Sequence, residues 1–469
     1  MLDGLARGVL VFGMVKMIYT MIKRLILTIM CMAGLGLVAN AQASGDGQAM
    51  TLHDCMAYAI SNSTKMRIQQ AEIGDAQIVR RNAVLKAFTP NISGSSYAYY
   101  NFGRSIDPET NTYVTETSFH NGYSVGAGIT LFDGFSAVNN LKISKTSLAI
   151  GKTQEKQVEA DICLAVMEAY YNVVYYKRLC DIYEAQVAVA EASLQKMLKQ
   201  EEIGQKSHAD VVQADADLAD RRYDAINARN TYNDQLMQLA DLMFWPLDQE
   251  LVIDTENVIP GLTGDLAATD VVDNALANNP AVKIAQWQAE NARRELSTAR
   301  WQLLPSLSLN AGWSTSFFNY PGQDLHLDPY RDQLRNHQGE YLQFSMSIPI
   351  YSRLQGHDNI ARKRNAVKKM NAQYDEKRRE VASEVQRAVQ DRDGALSAYE
   401  QALRKVSVQE EAYRLNARKM EQGLISSIEY QTATNNYLRA RADEMNSLFK
   451  YLIKQAVVRY YNGTEYINQ

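Results

Sequence analysis

Few side chains in this 469-residue chain are spaced for chemistry. The six histidines are scattered and form no His-Glu-x-x-His, and no Gly-x-x-x-x-Gly-Lys loop is present to cradle a phosphate. Cys163 and Cys180 lie too far apart for a Cys-x-x-Cys pair. Acids are plentiful, but a solvated acid on a helical surface does no chemistry by itself. The reading is therefore not an enzyme, with no catalytic, cofactor or metal site. Asp210 and Glu429 read as two such solvated acids at helix ends. Each follows a glycine that interrupts a helical pattern, Gly204 or Gly423. Each lies near the start of the next helix, where the helix dipole favours a carboxylate.

Long helices must position these acids. Residues 51–87 read as helix, capped at Thr51 and ended where Pro90 forces Thr89 into extension. From 136 to 202 the pattern is unbroken, with Val158, Ile162, Ala165, Ala169, Val173 and Tyr176 at steps of three and four. Such a helix is about 100 Å long. Ile203-Gly204 interrupts it, Ser207 caps the next helix, and Trp245-Pro246 ends that one after about Met243. Residues 244–268 read as a mixed segment containing Pro260-Gly261. Val381, Val385, Ala388, Ala395, Tyr399 and Ala402 form a narrow seam that wants close helical neighbours.

Four stretches break the helical pattern. In 123–132, Tyr123, Val125, Ala127, Ile129 and Leu131 alternate with Ser124, Gly126, Gly128 and Thr130. In 341–350, Leu342, Phe344, Met346, Ile348 and Ile350 alternate with Gln343, Ser345, Ser347 and Pro349. Strands are also expected at 91–102 and 306–314. A period of two puts one set on each face, and about ten residues suffice for a tilted strand to cross a bilayer. Polar loops are expected at 103–121 and 317–340. Tyr97, Tyr99, Tyr100, Phe102, Trp313, Phe317 and Phe318 sit near strand ends, where a barrel carries an aromatic girdle.

The pattern then repeats. Asp54 and Asn62 have counterparts at Asp270 and Asn278, Pro90 at Pro305, Phe132 at Tyr351 and Gly204 at Gly423. This is a tandem duplication of a helix–strand–strand–helix–helix unit, over 51–243 and 269–462. The fold class is mainly α with membrane β.

Residues 1–43 read as a signal region. Lys23 and Arg24 precede an apolar run and an Ala-x-Ala site, and cleavage after Ala41 or Ala43 fits equally well. Met21 is a natural start for such a signal, which makes 1–20 an overlong start. Removing 1–43 takes away four basic residues and one acidic, moving the net charge from −4 to −7. Nothing in that balance suggests nucleic acid. Cys55, Cys163 and Cys180 read as buried thiols rather than a disulfide framework.

Open strand edges are not tolerated in lipid, and four strands cannot close a barrel. Several chains must pool them if they span a membrane: two would give eight strands, and three would give twelve with room for a channel. From the residues alone, a periplasmic coiled-coil scaffold with soluble β-ribbons and no channel stays open.

Over essentially all of its mature length the chain resembles the TolC-type outer-membrane efflux family. The resemblance rests on the duplication, on Pro90 and Pro305 before the first strand of each half, and on LFDGF (131–135) and IPIYSR (348–353). It rests also on the turns IGQKSHADVVQADADL (203–218) and QGLISSIEYQTATNNYL (422–438). The resemblance implies a homotrimer in outer-membrane lipid, with a twelve-stranded β-barrel and a long periplasmic α-helical barrel. It implies an exit duct for tripartite efflux or type I secretion, passively conducting substrates delivered by an inner-membrane transporter. Gly204, Gln205, Lys206, Ser207, Gly423, Leu424, Ile425 and Ser426 would form the periplasmic tip that meets an adaptor protein. Asp210 and Glu429 would narrow its mouth, where a ring of carboxylates favours cations. Here the chain departs from the family pattern. Thr432 replaces a second acid one turn beyond Glu429, Ile425 replaces a latching arginine, and Lys206 is the available substitute charge.

Overall fold

The structure, a computed structural model, describes residues 49–106, 111–115, 117–255, 268–321, 327–422 and 424–468. The signal region 1–43, residues 256–267 of the mixed segment, and Gly423 lie outside the described residues.

Helix α1 (Leu52–Asn62) opens with a capping box between Thr51 and Asp54. Ser63 caps α2 (Thr64–Phe88), which ends at an extended Thr89 before Pro90. Strand β1 (Asn91–Asn101) follows. A small hairpin, β2 (Arg104–Ile106) with β3 (Tyr113–Thr115), leads into β4 (Ser118–Phe132). After Asp133-Gly134 the chain enters α3 (Ser136–Glu202) through Phe135, a left-handed residue with φ 60°. The Asp133 carboxylate accepts the Ala137 N–H at 3.0 Å, satisfying one free donor of the helix start. Helix α4 (His208–Met243) returns.

The order then recurs as α5 (Ala268–Asn278), α6 (Pro280–Trp301), β5 (Ser306–Asn319), β6 (Gly339–Ser347), α8 (Gln355–Glu421) and α9 (Ser427–Tyr461). Both α3 and α8 run 67 residues, and α8 also starts from a left-handed residue, Leu354 at φ 63°. Between β5 and β6 lies a short helix, α7 (Tyr330–Asn336).

Helix α3 pairs with α4, and α8 with α9, while α2 and α6 pack against the first parts of α3 and α8. The main core gathers Cys55 of α1, Tyr170, Val173 and Val174 of α3, Leu239 and Met243 of α4, and Phe449 and Leu452 of α9. A smaller core joins Val271, Val282, Val381, Val385 and Val458. Burial on α3 is wider than a single seam, because α1, α2, α4 and α9 cover it from several sides. The free cysteines Cys55, Cys163 and Cys180 are buried. Desolvation pushes the Cys55 and Cys163 thiols up to about 12, so they stay protonated and act as small apolar side chains. No helix among the described residues is long and apolar enough to cross a membrane.

The main sheet has the order β1-β4-β5-β6, antiparallel throughout. The two halves therefore join through β4 and β5. Of the two expected loops, 103–121 ends earlier and 317–340 begins later than the sequence pattern suggests. β4 starts at Ser118 and β5 continues to Asn319, because Phe119, His120 and Asn121 pair with Asn319, Phe318 and Phe317. Cross-strand aromatic packing carries the ladder past the apolar alternation. β6 instead stops at Ser347, short of Pro349, which has no N–H to give.

Helix α7 covers the part of β5 that outruns β6. The buried Gln333 accepts the Phe318 N–H at 3.1 Å and donates to the Asp328 carbonyl at 2.9 Å. His337 Nδ1 lies 2.9 Å from the Ser316 carbonyl. A stretch of open edge is thereby closed by side chains.

Candidate functional site

Two regions carry the residues to which function can be assigned: the ends of the helical hairpins and the faces of the sheet.

At the first hairpin, the Gly204 N–H bonds the Glu201 carbonyl and the Gln205 N–H bonds the Gln200 carbonyl, both at 2.8 Å. Gly204 has φ +74° with open space where a Cβ would stand, so glycine serves conformation here rather than packing. Ser207 caps α4. Its N–H and hydroxyl donate to Asp210 Oδ2 at 3.1 and 2.9 Å, and its Oγ accepts the Asp210 N–H at 3.3 Å. These hydrogen bonds, the backbone one first, hold the Asp210 carboxyl below the usual carboxylate range. His208 Nδ1 lies 2.9 Å from Glu201 Oε1, and Arg222 donates to Glu191 at 2.7 Å, tying α4 to α3.

The second hairpin is built alike. The Leu424 N–H bonds the Lys419 carbonyl at 2.9 Å. The Ser426 N–H donates to Glu429 Oε2 at 3.1 Å, and Ser426 Oγ accepts the Glu429 N–H at 3.2 Å. Asp210 and Glu429 are thus the acidic partners of two Ser-x-x-acid capping boxes. Both acids are exposed, as are Gln205, Lys206, Ser207 and Ser426, while Ile425 is half-buried.

Three features of these turns escaped the sequence reading. Ile203, Leu424 and Ile428 are 67%, 69% and 68% exposed, a concentration of bare apolar side chains at the turns. Only Leu424 was singled out, because an isolated isoleucine in a helical pattern does not reveal its face. The buried Arg221 on α4 donates to Asn435 Oδ1 on α9 at 2.9 Å, beside Asp217 at 3.4 Å. That bond ties the two hairpins together, across 214 residues of chain. Lastly, Tyr413 stacks on both Tyr430 and Tyr437 between α8 and α9.

The register sorts every strand residue onto a face, since directly paired residues share one. Ile92, Val125, Ala127, Ile129, Leu307, Leu309, Ala311, Trp313, Leu342, Phe344 and Met346 fall on one side. The other side carries Ser93, Ser95, Ser124, Gly126, Gly128, Thr130, Ser308, Asn310, Ser314, Gln343 and Ser345. Ser95 and Ser124 hydroxyls meet across it at 2.7 Å. β1 and β6 are the sheet's outer strands, and among the described residues each has an edge that no strand pairs.

The strand-end aromatics divide between the faces. Tyr100, Trp313 and Phe317 share the apolar side with Phe119, and Tyr330 of α7 packs on Phe317 at 4.7 Å. Tyr97, Tyr99 and Phe318 lie on the polar side with His120. An aromatic girdle against lipid can therefore include the first group and not the second.

A family model described as outer membrane efflux protein matches residues 59–243 and 271–463. The outer membrane efflux protein BepC of Brucella suis biovar 1 (strain 1330) is 22% identical over 301 residues, 62% of this chain and 60% of BepC. Protein CyaE of Bordetella pertussis (strain Tohama I) is 22% identical over 403 residues, covering 84% of this chain and 78% of CyaE. Among solved structures, the Campylobacter jejuni CmeC outer membrane channel superposes with a TM-score of 0.70 at 14% identity, over 89% of this chain and 85% of CmeC. At that identity the superposition speaks for the fold alone.

Proposed function

Because this chain belongs to the outer membrane efflux protein family, we propose that it is a passive exit duct, built as a homotrimer. It resides in the outer membrane, with its helices extending into the periplasm. The observation that carries the proposal is the sheet. One face is apolar, the other is lined by Ser, Gly, Thr, Asn and Gln, and both outer edges are open. A lipid-facing wall with a wet interior has this alternation, and open edges in lipid must find partners. The four strands alternate in direction, so β6 of one copy can pair antiparallel with β1 of the next. Three copies give twelve strands and a bore wide enough for a channel.

In this reading the hairpin ends form the periplasmic mouth. Gly204, Gln205, Lys206, Ser207, Gly423, Leu424, Ile425 and Ser426 meet a periplasmic adaptor, helped by the bare Ile203 and Ile428. The adaptor couples the duct to an inner-membrane transporter, which supplies the energy for tripartite efflux or type I secretion. Asp210 and Glu429, repeated three times, form the constriction. The test is native mass: protein from an outer-membrane fraction, held in mild detergent, is expected to run as a trimer that falls to monomer only on heating. A soluble monomer or dimer absent from the membrane fraction would overturn the duct.

A further inference from the structure

We propose that a band of rings on the polar face of the sheet is a stacking site for planar aromatic cations passing through the bore; this rests on the duct reading above. Tyr97 and Tyr99 stack at 5.8 Å, Tyr99 and His120 at 5.0 Å, His120 and Phe318 at 6.4 Å, and Phe318 and His337 at 5.8 Å. The last three contacts have interplanar angles of 16°, 28° and 15°, so the rings run as one near-parallel series across β1, β4 and β5 to the end of α7.

The band is seated, not dangling. A Cβ on Gly122 would fall 2.4 Å from Tyr97 Cζ, so the Tyr97 ring lies directly on the backbone of the next strand, where only glycine leaves room. Phe318 is buried beneath the series, whereas Tyr97 and Tyr99 remain half exposed, at 51% each. Lipid cannot be what they face, because their register puts them with Ser95, Ser124 and Ser314 rather than with Val125 and Trp313.

The chemistry selects the ligand class. No Asp, Glu, Lys or Arg stands on the polar face of β1, β4, β5 or β6; the one such residue in these four strands, Glu340, pairs with Trp313 on the apolar side. The electronegative ring faces are then the features of that wall suited to a cation. A flat cation can stack on them, as bases do on aromatic platforms in single-strand channels. A compact cation of equal charge cannot.

Single channels in planar bilayers test this, with ethidium as the planar cation and tetraethylammonium as the compact one. Ethidium is expected to produce longer blockades in the unmodified protein than tetraethylammonium, which can meet a ring face but cannot stack flat on the series. Equal dwell times for the two would overturn the band. Tyr99→Ser should shorten the ethidium blockade about threefold or more, the loss of one exposed cation–ring contact. Tyr99→Phe keeps the ring and should keep the dwell time. Tyr100→Ser, one residue away on the opposite face, should leave it unchanged. Each variant is first checked for the heat-dissociable trimer, and His120→Ser is read in place of Tyr99→Ser if the latter fails to assemble. Equal dwell times in unmodified protein and the serine variant, or an equal loss from Tyr100→Ser, would overturn the band. No conductance in the unmodified protein would overturn the duct itself, and the band with it.

Discussion

The two hairpins, α3–α4 and α8–α9, share a plan and differ in what fills them near the turn. Each has a 67-residue outgoing helix and a return helix that begins with a capping box. In the first, Val211 and Leu218 are buried and Leu194 half-buried. At the equivalent places of the second, spaced as Gly423 is from Gly204, stand Tyr430, Tyr437 and Tyr413. These rings stack at 5.9 and 5.4 Å, and the Tyr430 hydroxyl donates to that of Tyr413 at 3.3 Å. An aliphatic seam loses its packing and gains nothing from water when it opens. Stacked tyrosines keep hydroxyls that water can satisfy, and ring faces can slide over one another. The duplication thus preserved the backbone plan while the filling diverged, and the second hairpin is the one expected to part more readily.

The largest effect should come from Leu218→Ala. Truncating this buried side chain is expected to destabilise the first hairpin by about 2–4 kcal/mol, read as faster amide exchange along the start of α4. Tyr437→Leu should do the reverse in the second hairpin, slowing exchange at the start of α9 toward the rate of its counterpart. Similar exchange in both hairpins of the unmodified protein would erase the distinction.

Next is Arg221→Ala, which removes the tie from α4 to α9 and leaves Asn435 and Asp217 without their cation. A cost of about 1–3 kcal/mol is expected, together with higher single-channel conductance as the hairpins separate. Unchanged conductance would mean that the tie does not restrain the mouth.

The smallest effects concern the caps. Replacing Asp210 and Glu429 together with Ala should leave the trimer intact and weaken cation selectivity; unchanged selectivity would remove them from the constriction. The Asp210 cap also carries a pH signature. Its carboxyl is held below the ordinary range in the folded chain, so its contribution is fully present above the unfolded value of about 4. That contribution fades as pH falls through the lower folded value. The protection of amides 208–211, taken relative to the intrinsic exchange rate at each pH, should fall over that acid window, and Asp210→Asn should abolish the dependence.

Much of the fold was legible in the sequence, for local reasons. Pro90 ends a helix because of its ring, Gly204 admits a left-handed turn, and Ser207 offers an oxygen to free N–H groups. Each signal acts within a few residues of where it is written. The fold class and the turns at 203–207 and 424–426 were legible this way. The capping partnership of Asp210 and Glu429 is also written there, as Ser207-x-x-Asp210 and Ser426-x-x-Glu429, although of these two serines only Ser207 is identified as a cap from the sequence alone.

By itself, then, the sequence determined helices, strands, turns and the alternation that separates Tyr99 from Tyr100, because backbone geometry fixes those periods. Only the tertiary structure decided which of the two tyrosines joins the apolar side, since that depends on pairing with His120 and Phe119 across the β1–β4 register. It decided likewise how far β4 and β5 extend, that α7 closes the open stretch of β5, and that Arg221 meets Asn435. Those outcomes join residues tens to hundreds of positions apart, and a contact that depends on how two distant elements meet leaves no periodic trace in either one.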